Sequence, residues 1–182
     1  MKRQITKAAS FVVISLFYVS QSSADVACVQ AELKAAGYNP GPVDGALGKK
    51  TVNAASKMGT DYGFSLPTLD KANSQDWCAS LRKANESARI DTKEKLLSEI
   101  AGKKLILEGN WVVVNANGTL EGIFGEKPVK GTWEMKDGYW CRTLQSPAQN
   151  SDCQIYRLTP NGLIVTRNKG KGKSATYQVA GS

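Results

Sequence analysis

The pattern of apolar and polar positions along the chain changes its period near residue 90. Before that point, apolar side chains recur at the three-to-four-residue spacing of helices. This spacing predicts helices over residues 26–36, 49–58 and 75–84, and Gly37 stands where a glycine commonly ends a helix. The first half of the chain is therefore predicted to form three short helices around a small core.

A fourth helix is predicted just after the change in pattern. Asp91 and Glu94 have the D-x-x-E spacing that resembles a capping box. Leu96, Leu97 and Ile100 then lie on one helical face, and Gly102 would end the helix. The polar residues 85–91 before it predict a join between two modules.

From residue 104 onward the pattern is typical of strands. Three dipeptides, Asn117-Gly118, Asp137-Gly138 and Asn161-Gly162, lie between runs of β-branched and aromatic residues and predict hairpin turns. Strands are predicted over residues 104–107, 111–115, 119–124, 131–135, 139–144, 153–158, 163–167 and 175–179. Short connections favour an antiparallel meander. The predicted fold class is α+β: a three-helix module (residues 25–90), then a helix and an antiparallel β meander that forms a small barrel or half-barrel (residues 91–182).

The N-terminus has the features of an export signal. Lys2, Arg3 and Lys7 precede an apolar stretch over residues 8–19, and Ser22 and Ala24 are small residues before a predicted cleavage site. The apolar stretch is shorter than the roughly 20 residues of a membrane span. Residues 1–24 are therefore predicted to be a signal peptide, with a retained anchor as the alternative. We expect a periplasmic or secreted protein with no membrane span after cleavage.

The 182-residue chain has no histidine. Its absence excludes Ser-His-Asp and Cys-His nucleophiles and histidine-ligated zinc or haem. An enzyme would have to use carboxylates, lysine or tyrosine. The candidate carboxylates for a glycosidase-type pair are Glu108, Glu121, Glu126, Glu134 and Asp137. Because carboxylates scattered along alternating strands are typical of a solvated face, we predict no catalytic residues, no cofactor and no metal.

The four cysteines, Cys28, Cys78, Cys141 and Cys153, all follow the predicted signal peptide. An even number of cysteines in an exported chain predicts disulfides. Three pairings are possible, and chain order favours Cys28–Cys78 and Cys141–Cys153. A zinc site is the alternative, but no C-x-x-C spacing supports it.

The formal net charge of +8 is unevenly distributed. The signal segment carries three positive charges, and another four lie in a basic patch near the C-terminus. The patch consists of Arg167, Lys169, Lys171 and Lys173. It is interpreted as a solvated hairpin tip, or as a contact for wall carboxylates or anionic lipid headgroups. Nucleic acid is not an expected partner for an exported protein with so small a patch.

One dense motif lies in the first module. It reads Gln30-x-x-Leu33-x-x-x-Gly37-Tyr38-x-x-Gly41-Pro42-x-Asp44-Gly45-x-x-Gly48-x-x-Thr51-x-x-Ala54. This pattern resembles the three-helix peptidoglycan-binding domain of bacterial cell-wall proteins. Met58 and Gly59 stand where that family usually has an aromatic residue followed by glutamine. The resemblance implies a helical scaffold and peptidoglycan as the partner.

The second half has a weaker likeness to small secreted bacterial β domains of unknown function. It is carried by a Gly-x-Trp strand at Gly131 and Trp133 and by Cys-Arg at Cys141 and Arg142, with Cys153 as the cysteine partner. This likeness implies a fold and an exported location, and no activity.

Four side chains in the motif are suited to contact a glycan or a stem peptide: Tyr38, Asn39, Asp44 and Thr51. Each also has a structural interpretation, since Asp44 is a turn former and Thr51 stands near a helix start. The sequence therefore predicts an exported, non-catalytic envelope protein that associates with peptidoglycan. Two alternatives stay open. One is a secreted inhibitor or interaction module that binds an envelope protein through its β domain, and the other is a carboxylate-dependent wall hydrolase.

Overall fold

The computed structural model describes residues 21–181. The first 20 residues of the predicted signal peptide lie outside the described residues. The first helix, described from Gln21, continues through the predicted cleavage site after Ala24. Within residues 21–181, every helix is too short or too polar to span a bilayer.

Three helices pack together in the first module. They are α1 (Gln21–Ala35), α2 (Lys49–Tyr62) and α3 (Ser74–Ala88). Each helix presents apolar residues on one face. The side chains buried between the helices include Val29, Leu33, Met58 and Leu81. A disulfide between Cys28 and Cys78 joins α1 to α3, which is the pairing that chain order favours.

The two residues that depart from the family pattern lie inside this core. Met58 is fully buried. Gly59 lies against the indole of Trp77, and a Cβ added to it would be 3.0 Å from the ring. The indole nitrogen of Trp77 donates to the carbonyl of Pro67 at 2.9 Å. At residue 59 the absence of a side chain makes room for the Trp77 ring.

Nine strands lie in the described part of the chain. They are β1 (Arg89–Ile90), β2 (Lys104–Leu107), β3 (Asn110–Val114), β4 (Thr119–Phe124), β5 (Lys127–Lys136), β6 (Tyr139–Ser146), β7 (Asn150–Thr159), β8 (Gly162–Thr166) and β9 (Ser174–Ala180). All of their pairings are antiparallel. Eight strands run in the order β7-β6-β5-β4-β3-β2-β9-β8, and β8 pairs with β7 to close a barrel. The predicted α+β fold class is confirmed, and the meander is a complete barrel.

The barrel interior is filled by side chains. Trp140 stacks on Tyr156 with ring centroids 4.8 Å apart, and Trp133 is also buried. A fourth helix, α4 (Lys93–Glu99), contributes Leu96 to the same core. Opposite each other on β6 and β7, Cys141 and Cys153 form the second disulfide, in the pairing that chain order favours.

Two details at the start of the second module differ from the sequence prediction. The N-cap of α4 is Thr92, whose hydroxyl accepts a hydrogen bond from the backbone N–H of Lys95 at 3.2 Å. The prediction that Asp91 and Glu94 form a capping box is therefore wrong. The predicted join at residues 85–91 is largely structured as well, because α3 continues through Ala88 and β1 then pairs with β7. The domain boundary at residue 90 stays a prediction.

Candidate functional site

The loop between α1 and α2, residues 39–48, is held by one buried side chain. Gln30 on α1 is 1% exposed. Its Oε1 accepts the backbone N–H groups of Asp44 and Gly45 at 3.0 and 2.9 Å. Its Nε2 donates to Oδ1 of Asp44 and to the carbonyl of Ala46, both at 3.0 Å. The conformation of this loop, named here the glycine-proline loop, therefore depends on a helix residue outside it.

Asp44 and Thr51 belong to the same network. Oδ1 of Asp44 accepts the N–H of Ala46 at 2.9 Å. This bond, followed by the bond from Gln30, holds the pKa of Asp44 below its usual range. Thr51 is buried, and its hydroxyl donates to the carbonyl of Pro40 at 3.0 Å. Both side chains stabilise the loop from within, although the Asp44 side chain is also open to solvent.

Gly45 allows the loop to approach α1 closely. Its φ is +73°, and a Cβ there would be 2.6 Å from the carbonyl oxygen of Ser23. Both the left-handed backbone and the short distance favour glycine. The loop thus rests directly on the first turn of α1.

The outer surface of the glycine-proline loop is exposed and mixed in character. Val43 is 46% exposed, and the other exposed large hydrophobic residue in the described part of the chain is Ile123 on β4, at 40%. Asp44 follows Val43, and Lys49 and Lys50 are exposed where α2 begins. This segment therefore exposes an apolar side chain, a carboxylate and two ammonium groups.

Tyr38 lies apart from this surface, at the contact between the helical module and the barrel. It is 8% exposed. Its hydroxyl donates to Oδ2 of Asp61 at 2.6 Å and accepts from Nδ2 of Asn161 at 2.9 Å. Asn161, in the β7–β8 turn, also donates to Asp61 at 3.0 Å. The predicted ligand contact Tyr38 therefore packs and hydrogen-bonds across the junction.

The donors around Asp61 stabilise its ionised form. Bonds from Tyr38, Asn161 and Lys57 lower the pKa of Asp61 to about 2. Burial, together with the neighbouring Asp61 carboxylate, raises the pKa of Tyr38. At neutral pH the Asp61 carboxylate at this junction is ionised and accepts hydrogen bonds from all three donors.

The structure brings three of the predicted site residues together at the loop and the first turn of α2, and it separates the fourth. Asn39 accepts the N–H of Gly41 at 3.2 Å and remains exposed, while Asp44 and Thr51 surround Gln30. Gln30 was not among the predicted site residues, although it is the first residue of the motif. Asp61 lies outside the motif, so no sequence signal indicated it.

Residues 22–68 match the family model described as "Putative peptidoglycan binding domain". The matched segment contains α1, the glycine-proline loop and α2, so the resemblance is confirmed for that part of the chain. The match supports association of this protein with peptidoglycan. Comparisons with curated proteins and with solved structures gave no significant match.

Outside the segment that matches the family model, the predicted basic patch lies in the β8–β9 connection and is exposed. Nε of Arg167 contacts Asp152 at 3.0 Å, and the N–H of Asn168 donates to the same carboxylate at 3.0 Å. The ammonium group of Lys169 lies 5.4 Å from the ring centroid of Tyr139. Asp152 thus anchors the start of the patch, and Lys171 extends into solvent.

Proposed function

We propose that this protein is an exported, non-catalytic bacterial envelope protein that binds peptidoglycan through residues 25–90. The observation that carries the proposal is the family match over residues 22–68, in a segment whose loop is rigidly organised around Gln30. A preorganised loop loses little conformational entropy on binding a ligand. The glycine-proline loop is the proposed contact surface.

Export to the periplasm or the cell exterior is supported by two features. The N-terminal residues have the charge and apolar pattern of a signal peptide. Disulfides join Cys28 to Cys78 and Cys141 to Cys153, and such bonds persist in oxidising compartments.

The proposal of a non-catalytic role rests on the chemistry of the chain. It has no histidine, so a hydrolase would need two facing carboxylates. Glu108 and Glu126 lie in hairpin turns with positive φ, and Asp137 lies in the β5–β6 turn. Peptidoglycan embedded in a gel tests this directly: we expect no clearing, and a cleared band would establish a wall hydrolase.

The proposed contact combines apolar and polar groups, as saccharide and peptide ligands require. Val43 offers an apolar side chain to a sugar face or an alanine methyl group. The carboxylate of Asp44 can accept hydrogen bonds from sugar hydroxyls, while Lys50 is placed to attract a stem-peptide carboxylate.

Co-sedimentation with purified cell-wall sacculi tests the proposal. We expect wild-type protein to sediment with sacculi and Val43→Ser to bind about fivefold more weakly, since burying a half-exposed valine contributes about 1 kcal/mol. Ile123→Ser is the matched control, because it removes a similarly exposed apolar side chain from the barrel. A folded wild-type protein that stays in the supernatant would overturn the proposal.

A further inference from the structure

The outer face of β5, β6 and β7 carries side chains in three cross-strand rows. Thr132, Thr143 and Ser151 form the first row, because Thr143 is paired with both of the others. The second row contains Glu134 beside the disulfide, and the third contains Lys136 opposite Tyr139. Since each row is two residues from the next, neighbouring rows are about 7 Å apart.

A shallow cavity of about 310 Å³ lies on this face. We name it the barrel groove. Its lining includes Thr132, Glu134, Lys136, Thr143, Ser151 and the Cys141–Cys153 disulfide. On β6, Trp140 is buried in the core. Because successive side chains of a strand point to opposite faces, Tyr139, Cys141 and Thr143 point outward, toward the groove.

The hydroxyl row can still bind a ligand. The hydroxyls of Thr143 and Ser151 are 3.0 Å apart and share one hydrogen bond. A hydroxyl has one donor and two acceptor positions, so each retains free capacity. Because adjacent strands are about 4.8 Å apart, the row spans about 10 Å from Thr132 to Ser151. That length suits a short saccharide lying across the strands.

At the end of the groove away from the hydroxyl row, Lys136 lines it, and further cations lie beside the neighbouring Tyr139. Arg89 and Lys169 each lie 5.4 Å from the ring centroid of Tyr139, and Lys136 is paired with Tyr139 across the strands. Within residues 21–181, no carboxylate lies within 4.0 Å of these three cationic groups. Arg89 already donates to the carbonyl of Gly138 at 3.0 Å. Lys136 and Lys169 are exposed and are available to an anionic ligand.

Asp152 and Glu134 also line the groove, and they differ in how far their hydrogen-bonding capacity is already used. Asp152 accepts from Arg167, Gln154 and Asn168, so its hydrogen-bonding capacity is largely used. Glu134 is exposed in the middle row, between the hydroxyls and the cations. A ligand that fits must place hydroxyl or amide donors near Glu134 and its negative charge near Lys136.

We propose that the barrel groove is a second binding site, which takes an acidic saccharide bearing a carboxylate. The sugar hydroxyl and amide groups contact the hydroxyl row and Glu134, and the carboxylate contacts Lys136 and Lys169 beside Tyr139. The carboxylated glycan of the wall supplies this chemistry, so the ligand's source rests on the proposed function. The groove gives the barrel a role in the same association.

The groove favours a saccharide over a lipid surface. Its strands carry no exposed large hydrophobic residue, since those in the described residues are Val43 in the glycine-proline loop and Ile123 on β4. A protein that docks on a membrane normally inserts such side chains into the headgroup region. Hydroxyl, carboxylate and ammonium groups instead match the polar groups of a saccharide.

The test uses soluble disaccharide-peptide fragments released from peptidoglycan, titrated into the isotope-labelled protein and followed by amide chemical shifts. We expect shift changes at Thr132, Thr143 and Ser151, together with those of the glycine-proline loop. Lys136→Gln combined with Lys169→Gln should weaken the groove response about tenfold, since two exposed charge contacts are lost. Lys130→Gln, an exposed lysine elsewhere on β5, should leave it unchanged.

The outcomes separate this inference from the proposed function. Shifts confined to the glycine-proline loop, or a groove response that the double lysine variant leaves intact, overturn the groove and leave wall association standing. Shifts confined to the groove support it and overturn the loop as the contact surface. No shift in a folded protein overturns both. Neutral chito-oligosaccharides should bind the groove more weakly than the carboxylated fragments, and equal binding would refute the cationic side.

Discussion

Replacing Gln30 with leucine should destabilise the protein more than any other single change in the helical module's loop network. Leucine has nearly the same size, so the change tests hydrogen bonding with little effect on packing. It leaves the N–H groups of Asp44 and Gly45, the carbonyl of Ala46 and the Asp44 carboxylate without their partner. Leaving a buried polar group unpaired costs about 1–3 kcal/mol, and water can reach part of this loop, so we expect a loss of about 2–4 kcal/mol.

Urea unfolding monitored by tryptophan fluorescence measures that loss as a lower midpoint with an unchanged slope. Gln75→Leu is the control, because Gln75 is exposed on α3 and its replacement should change stability by less than about 0.5 kcal/mol. Gln30→Glu adds a second comparison. It keeps an acceptor for the two N–H groups, loses the donor, and places a carboxylate beside Asp44, so it should also destabilise and should raise the pKa of Asp44. If Gln30→Leu cost no more than Gln75→Leu, the loop would not depend on this side chain.

Three further predictions concern the junction and the loop. Asn161→Ala removes two hydrogen bonds across the junction and should cost about 2 kcal/mol in a urea titration; an unchanged midpoint would show that the contact contributes nothing. The pKa of Asp61 is lowered to about 2 from a usual 3.8, so its ionised form contributes to the free energy of unfolding above pH 4, and this contribution is lost as the pH falls through about 2. Asp61→Asn should therefore flatten the dependence of the free energy of unfolding on pH in this range. An equally steep dependence in the variant would contradict the prediction. Gly45→Ala should destabilise strongly because its Cβ would lie 2.6 Å from the Ser23 carbonyl, whereas Gly48→Ala, with no atom within 4 Å, should be well tolerated; similar thermal midpoints would refute the steric argument.

Local patterns predicted the secondary structure well where a turn or an end is encoded by neighbouring residues. The strand at residues 119–124 was predicted with its observed bounds, because Asn117-Gly118 fixes where it begins. The second helix was predicted too short. It continues past Gly59, which packs on Trp77, and ends at Tyr62, followed by Gly63, whose φ of +68° closes the helix. A glycine that serves packing and a glycine that ends a helix have the same letter in the sequence.

The site was predictable only where its contacts are local. Gln30 is a polar residue in the apolar series of α1, and a buried polar side chain requires partners, so its role could have been inferred from its position. The role of Tyr38 could not, because its partner Asn161 lies 123 residues away. The local sequence pattern likewise did not decide between a barrel and a half-barrel. Closure depends on the pairing of β8 with both β7 and β9, which is set by the folded chain as a whole.

The junction links the two proposed contact surfaces into one geometry. β1 continues directly from α3 and pairs with β7, Asn161 bonds to the helical module, and Gly37 lies against Ile164 of β8. A flexible linker would allow the glycine-proline loop and the barrel groove to find separate ligands. A junction held by these contacts instead requires one ligand lattice to match both surfaces, so the second contact adds affinity only where the spacing fits. With both proposed surfaces in use, two weak sites joined by these contacts would favour an ordered, repeating polymer over its soluble fragments. The polar contacts at Asn161 and Asp61 are thus part of how this protein would distinguish an intact wall from its breakdown products.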